Sequence, residues 1–269
     1  PELPEVETTR RGIAPHIQQQ TIRGVIVRQA QLRWPIPASL PETLKGSVVE
    51  NVKRRGKYLL LETARGTLIL HLGMSGSLRF LPSQTPAGAH DHFDLVFGTH
   101  CLRLRDPRRF GAVLWTDQDI NQHKLIQSLG PEPLSDAFNT DYLYNKSRNR
   151  NVAIKNLIMN SHIVVGVGNI YASESLFMAG IHPKRKAGKI SRKRFEQLVN
   201  AIKTVLEKSI AQGGTTLKDF SNEHGKPGYF AQQLQVYGRK GEACYRCDAP
   251  IQQVTIGQRS TFYCPHCQT

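Results

Sequence analysis

The sequence predicts an α+β protein: a mostly antiparallel β domain led by one helix, then a helical domain, then a cysteine-bearing tail. Three observations predict it. Short apolar runs dominate the first half, the periodicity turns helical after residue 130, and four of five cysteines crowd the last 26 residues. A length of 269 residues suits two domains with a small appendage.

Residues 4–18 read as a helix, with Val6, Ile13 and Ile17 apolar among charged neighbours. KYLLLE and TLILHLG are strand-like runs separated by ARG, which suggests a hairpin. HFDLVFG, HCLRLRD and GAVLWT continue that pattern. GPEPLSD breaks it and is a candidate domain boundary. The helical candidates that follow are NVAIKNLIMNS, NIYASESLFMAG closed by Gly180, and a run of about 20 residues from Ser191, a candidate N-cap. In that run Phe195, Leu198, Val199, Ile202, Val205, Leu206 and Ile210 keep helical spacing. The expected domains are 1–130, 131–230 and 231–269.

Lys and Arg exceed Asp and Glu by 36 to 21, a formal charge of +15. That excess points to a polyanion, nucleic acid before an anionic membrane surface. No apolar run approaches the roughly 18 residues of a membrane span. The N-terminus carries charges where a signal peptide has its apolar core. The expectation is a protein of the reducing cytosol, where cysteines serve metal or chemistry rather than disulfides.

Cys244, Cys247, Cys264 and Cys267 form C-x2-C-x16-C-x2-C. Each pair can wrap two thiolates around one tetrahedral ion, and the intervening stretch is long enough for a β-hairpin. Four protein ligands leave no open position, so the expected cofactor is one structural zinc ion. His266 reads as a spectator and Cys101 as a small strand or core residue. Arg259, near the tip of that hairpin, suits a phosphate or a groove.

The chain opens PELPEVETTR, with no methionine before Pro1. Two readings stand: proline and acidic residues suit a helix start, or the amine of Pro1 is itself a working group.

Several stretches agree on one family. PELPEVE, RRGKYLLLE around Lys57, HLGMSG, DPRRFG, VGVGNIYASESLFMAGIHP, GGTTLKDF and QVYGRKGEAC resemble the bacterial formamidopyrimidine-DNA glycosylases, which excise oxidised purines. The resemblance runs from Pro1 to Cys267. It implies an N-terminal β-sandwich with flanking helices and a C-terminal helical domain with a helix–two-turn–helix motif and a zinc-finger hairpin.

The resemblance also implies roles. Pro1 would be the nucleophile. An α-amine ionises at about 7.7–8.0, against about 10.4 for lysine, so more of it is neutral and nucleophilic at neutral pH. A secondary amine gives an iminium that serves as an electron sink for elimination. Glu2 would be the general acid and proton shuttle, Lys57 a phosphate-contacting and elimination-assisting group, and Arg259 a catalytic-site arginine that grips phosphate together with Asn169. Glu5 reads equally well as a contact to the flipped nucleotide and as a helix N-terminal charge.

Reaching a base inside a duplex requires flipping it out and filling the gap. Met74, Arg108 and Phe110 match the family's wedge, Arg108 facing the orphaned cytosine. Arg109 adjoins them. His71, His90, Arg150, Lys155 and Tyr237 match further DNA-contacting positions. GVGN at 166–169 exposes backbone amides at a helix start, suited to an anion. Residues 215–230 resemble a lid over the everted base.

The expected function is a bifunctional glycosylase and abasic-site lyase acting by β,δ-elimination on double-stranded DNA that carries oxidised purines or abasic sites. It is expected to be a cytoplasmic, nucleoid-associated monomer with no membrane partner. The rivals are the sister endonuclease VIII type, a non-catalytic damage-binding protein, and an abasic-site lyase with an inert base pocket.

Overall fold

The computed structural model describes residues 1–213 and 233–269. The chain divides into two units. One holds Pro1 and Leu3–Gln127; the other holds Glu2, Ser128–Ala211 and the described C-terminal segment, residues 233–269.

The first unit is a β-sandwich. α1 (Leu3–Ile17) leads it, followed by β1 (Gly24–Val27) and the short α2 (Leu40–Leu44). β2 (Asn51–Arg55), β3 (Tyr58–Thr63), β4 (Gly66–His71), β5 (Ser77–Pro82), β6 (Asp91–Val96), β7 (His100–Arg105) and β8 (Ala112–Thr116) complete it. One four-stranded sheet runs β1-β6-β7-β5 and the other β2-β3-β4-β8, all antiparallel.

Alternation along the strands builds the core, because successive side chains point to opposite faces. Leu59 and Leu61 of β3, Leu68 and Leu70 of β4, Phe93 and Leu95 of β6, and Leu102 and Leu104 of β7 share one cluster with Val6, Ile13 and Ile17 of α1. The residues between them turn away. Asp94 and Arg103 pair on the outer face, Arg103 Nε at 2.9 Å from Asp94 Oδ1, with Arg28 Nη2 at 2.7 Å from Oδ2. Burial alone would raise the Asp94 carboxyl; hydrogen bonds from Arg28 and Arg103 outweigh it and hold it low.

The second unit contains α3 (Thr140–Ser147), α4 (Ile154–Met159), α5 (Asn169–Ala179) and α6 (Arg192–Ala211), then the hairpin β9 (Gln252–Ile256) and β10 (Arg259–Tyr263). α5 ends where the sequence predicts, at Gly180 with φ 71°, a left-handed cap that glycine adopts without Cβ strain. Ser191 Oγ accepts the Arg194 amide at 3.3 Å at the start of α6. α5 is buried almost throughout, and its Tyr171 hydroxyl pairs with Ser209 of α6 at 2.6 Å.

Several elements depart from the sequence reading. β1, β2 and β5 are additional strands, and α2 and α3 are additional helices. α3 is capped by Asn139, whose side chain accepts the Tyr142 amide at 2.9 Å. α4 is shorter than NVAIKNLIMNS suggests: it begins only at Ile154, after a bend at Val152 and an isolated antiparallel bridge from Ala153 to Lys186.

Candidate functional site

In the first unit, β2 and β3 meet in a two-residue turn, Gly56–Lys57, bracketed by the pair Arg55–Tyr58. Lys57 therefore sits on a turn rather than at a strand entry. Gly56 takes φ 58°, as tight hairpin turns demand. Arg54 braces the turn by donating to the Gly56 carbonyl at 3.0 Å, and its Nε lies 3.1 Å from Glu7 Oε1. Glu7 also accepts Arg10 and Arg11. Burial opposes its charge, but these guanidinium hydrogen bonds pull its carboxyl down to about 2.

His71 ends β4 and accepts the Gly73 amide on Nδ1 at 2.9 Å, so its proton sits on Nε2. Burial first, then the charges of Lys57, the Pro1 amine and Arg33, lower its imidazole to about 4. At neutral pH it is an uncharged donor.

Met74 and Phe110 project from two loops and are 50% and 46% exposed, far outside the core role such side chains usually take. Arg108 lies 5.1 Å from the Phe110 ring centroid. Arg109 takes φ 56°, strained for a non-glycine residue. Arg108, Arg109 and Phe110, with Gln31, Leu32 and Arg33, line a concavity of about 570 Å³. His90, just before β6, is exposed, and its carbonyl accepts the Asp106 amide at 3.0 Å.

In the second unit, the Glu2 carboxylate caps α5. Oε1 accepts the amides of Gly168 at 2.8 Å and Tyr171 at 3.2 Å, and Oε2 accepts Ile170 at 2.8 Å. A helix start leaves such amides without intrahelical partners and favours an anion. Here GVGN receives an anion of the chain itself. The glycine is required by space: a Cβ on Gly168 would lie 2.4 Å from Glu2 Cδ.

Asn169, the first residue of α5, donates to the Ser260 carbonyl of the hairpin at 2.8 Å. Lys155 is fully buried, and its Nζ is 2.5 Å from both Asn169 Oδ1 and Thr261 Oγ1. Lys155 is expected against DNA from its sequence; its ammonium turns inward and ties α4 to α5 and the hairpin. Burial, then repulsion from Arg259, lowers it to about 8, against an opposing pull from Glu2. Arg259 opens β10 just past the turn at Gly257–Gln258 and is exposed; Arg150 is exposed after α3.

The four tail sulfurs lie within 4.8 Å of one another, with Cys244–Cys267 at 3.9 Å and Cys247–Cys264 at 3.4 Å. Zinc–sulfur bonds of about 2.3 Å in a tetrahedron require sulfurs about 3.8 Å apart. The Arg246 and Cys267 amides approach Cys244 Sγ and Cys264 Sγ at 3.4 Å, as donors to thiolates. The donor set fits one structural zinc ion, and all four positions are filled by protein.

Comparison with known proteins agrees with this geometry. Residues 1–113 match the formamidopyrimidine-DNA glycosylase N-terminal domain, 129–221 its H2TH domain, and 241–269 a zinc finger found in FPG and IleRS. The chain belongs to the formamidopyrimidine-DNA glycosylase family. A formamidopyrimidine-DNA glycosylase of Saccharophagus degradans is 56% identical over 269 residues, covering 100% of this chain and 99% of that one. A Lactococcus lactis FPG mutant in complex with Fapy-dG-containing DNA superposes with a TM-score of 0.93 at 34% identity, covering all of both chains. The Lactococcus lactis Fpg with abasic-site DNA gives 0.93 at 33%, again over all of both chains.

Within this glycosylase family frame, some contributing residues escaped the sequence reading. Glu174, buried in α5, accepts the amides of Gln235, Val236 and Tyr237, the last two at 2.9 and 3.0 Å. It thereby sets the segment that carries Tyr237, whose ring packs 5.0 Å from Phe262. Asp106 is fully buried between the two wedge loops. Glu174 carries a sequence signal, a carboxylate inside the apolar run NIYASESLFMA, whereas Asp106, flanked by arginines in RLRDPRRF, carries none. Glu5 is buried on α1. The expected lid at 215–230 lies outside the described residues.

Proposed function

We propose that the chain is a bifunctional DNA glycosylase and abasic-site lyase that removes oxidised purines and formamidopyrimidines from double-stranded DNA. The observation that carries the reading is Glu2: three backbone amides fix its carboxylate, and the residue before it in the chain is Pro1. A proton-transfer group is useful only when its position is set.

In this reading the Pro1 nitrogen attacks the anomeric carbon. The bond to the base breaks and the base leaves with a proton. Glu2 protonates the sugar ring oxygen, the ring opens, and an iminium forms between Pro1 and the sugar. That cation withdraws electrons so that the 3′ and then the 5′ phosphate leave by β- and δ-elimination. Lys57, on its braced turn, contacts phosphate and assists elimination. His71, uncharged, donates from Nε2. Arg259 and Asn169 grip the backbone, with Tyr237, Arg150 and His90 as further contacts.

Met74 and Phe110 fill the space of the everted nucleotide, and Arg108 offers donors to the orphaned cytosine. The zinc holds the hairpin that presents Arg259 and takes no part in bond breaking. The +15 charge supplies the sequence-independent attraction to phosphate. The protein acts as a monomer on the DNA of the cytoplasm and has no membrane partner. Among the described residues no helix is long and apolar enough to cross a membrane.

Borohydride trapping tests this reading. Duplexes carrying 8-oxoguanine opposite cytosine, or an oxidised pyrimidine, are incubated with the protein, and the adduct is mapped by peptide mass spectrometry. A covalent product on the purine duplex at Pro1 is expected. Preference for the pyrimidine would move specificity to the endonuclease VIII type, and tight binding without any adduct would retire the catalytic reading.

A further inference from the structure

We propose that Asp106 is the positioning residue of the wedge, and that Ser75 relays its hold to Arg108; this rests on the glycosylase reading above. Asp106 has no exposed surface. Its Oδ1 accepts the Ser75 hydroxyl at 2.9 Å, and its Oδ2 accepts the Gly111 amide at 2.8 Å. Ser75 Oγ in turn accepts the Arg108 amide at 3.0 Å. The Asp106 carbonyl lies 2.8 Å from His92 Nε2 and 3.2 Å from the Arg109 amide.

Each tie of the carboxylate, direct or through Ser75, falls on or beside a wedge residue. Ser75 follows Met74, Gly111 follows Phe110, and Arg108 is held through its own backbone. One carboxylate thus fixes two separate loops relative to each other. The loops also touch through backbone: a Cβ on Gly73 would lie 2.5 Å from the Gly111 nitrogen, and one on Gly111 would lie 2.7 Å from Asp106 Oδ2. The three wedge side chains have little packing of their own, since all are exposed. Their aim must come from the loop backbone. A buried carboxylate receiving charge-assisted hydrogen bonds is a stiff support for that purpose.

The inference makes Asp106 matter only where a base must be displaced. Asp106→Asn keeps the size, but its N–H₂ must face either the Gly111 amide, a donor, or Ser75 Oγ, whose proton then loses its acceptor. Ser75→Ala removes the relay and leaves the carboxylate. Both variants are compared with wild type on an 8-oxoguanine duplex opposite cytosine or adenine. A duplex with 2-aminopurine beside the lesion reports unstacking on mixing. A single-stranded abasic oligonucleotide has no partner base to replace and reports the elimination chemistry alone.

For Asp106→Asn, duplex excision should fall on the order of 100-fold, the scale of a misplacement near 1 Å. The cytosine-to-adenine preference should fall towards one, and the 2-aminopurine signal should disappear, while single-strand cleavage stays near wild type. Ser75→Ala should shift the same readouts in the same direction by less. Should Asp106→Asn fail to fold, the Ser75→Ala pattern decides alone. Unchanged base preference and fluorescence in the variants, or equal losses on duplex and single strand, would overturn the assignment. A wild-type protein without excision or adduct would instead remove the glycosylase reading on which it rests.

Discussion

The Glu2 carboxylate rests on the backbone amide of Gly168 at 2.8 Å, and no side chain fits between them. The Gly168 backbone, at φ −104° and ψ −163°, is open to any residue. Glycine is needed there for proximity alone. Gly168→Ala should therefore fold with its zinc in place yet displace Glu2. Excision and trapping should drop by roughly two orders of magnitude, as expected for a misplaced proton-transfer group. Glu2→Gln turns one accepting oxygen into an N–H₂ donor that faces a backbone amide, and should reduce base excision by a similar factor. Stopped-flow excision and melting curves on the two variants check this; an active Gly168→Ala enzyme would show that the amide cradle is structural only.

His71 gives a pH signature. Its imidazole is lowered to about 4 in the folded protein, with burial the largest cause and Lys57, the Pro1 amine and Arg33 following. An unfolded histidine ionises near about 6.5. Between these values the unfolded chain binds the extra proton, so this residue makes stability fall as pH drops from about 6.5 to about 4. Above that window it contributes no pH dependence. The His71 ring resonances should stay at their neutral positions down to about pH 5, and His71→Gln should flatten the acid limb of the melting curve relative to wild type. A His71 midpoint at the ordinary unfolded value by NMR would contradict the buried neutral assignment.

Lys155 offers the opposite limb. Burial and Arg259 lower its ammonium to about 8. Unfolded lysine ionises near about 10.4, so the unfolded chain holds more protons between those values and stability from this residue rises with pH there. Lys155→Met leaves the Asn169 and Thr261 oxygens without that donor, at a cost of roughly 1–3 kcal/mol. The deficit of Lys155→Met against wild type should widen as pH rises from about 8 to about 10. A constant deficit across that range would place the ammonium in solvent.

Local chemistry makes much of this legible in the sequence. The strand alternation around Leu59–Leu61 and Leu68–Leu70, the left-handed stop at Gly180, and the paired C-x2-C knuckles each follow from nearest neighbours. The interactions that organise the site do not. Glu2 reaches an amide 166 residues away and Lys155 a hydroxyl 106 residues away. No periodicity encodes such pairings. GVGN reads from its glycines as an anion-binding helix start, and it is one, but nothing local to it says that the anion is Glu2. α3 escapes because its hydrophobic stripe is thin and its cap, Asn139, is one of several asparagines in a polar stretch.

The zinc tail supports a last prediction because its role is separable from the chemistry. Cys244 and Cys264 are buried in a small cluster with Phe177, Val236, Ile251 and Phe262. A cluster of that size is too small to hold a hairpin by burial alone, and structural zinc supplies the missing folding energy in such modules. Cys244→Ser should lower zinc content towards zero and release β9 and β10, which carry Arg259 and the Ser260 and Thr261 partners of Asn169 and Lys155. Duplex affinity should then fall, and its salt dependence should become shallower by about 0.9 for each phosphate that the protein no longer neutralises. The β-sandwich has its own core and should keep its melting transition. Arg259→Ala should reproduce the shallower salt slope with full zinc content. A variant that gives up its zinc but keeps the wild-type slope would separate Arg259 from phosphate and leave the metal with a role in stability alone.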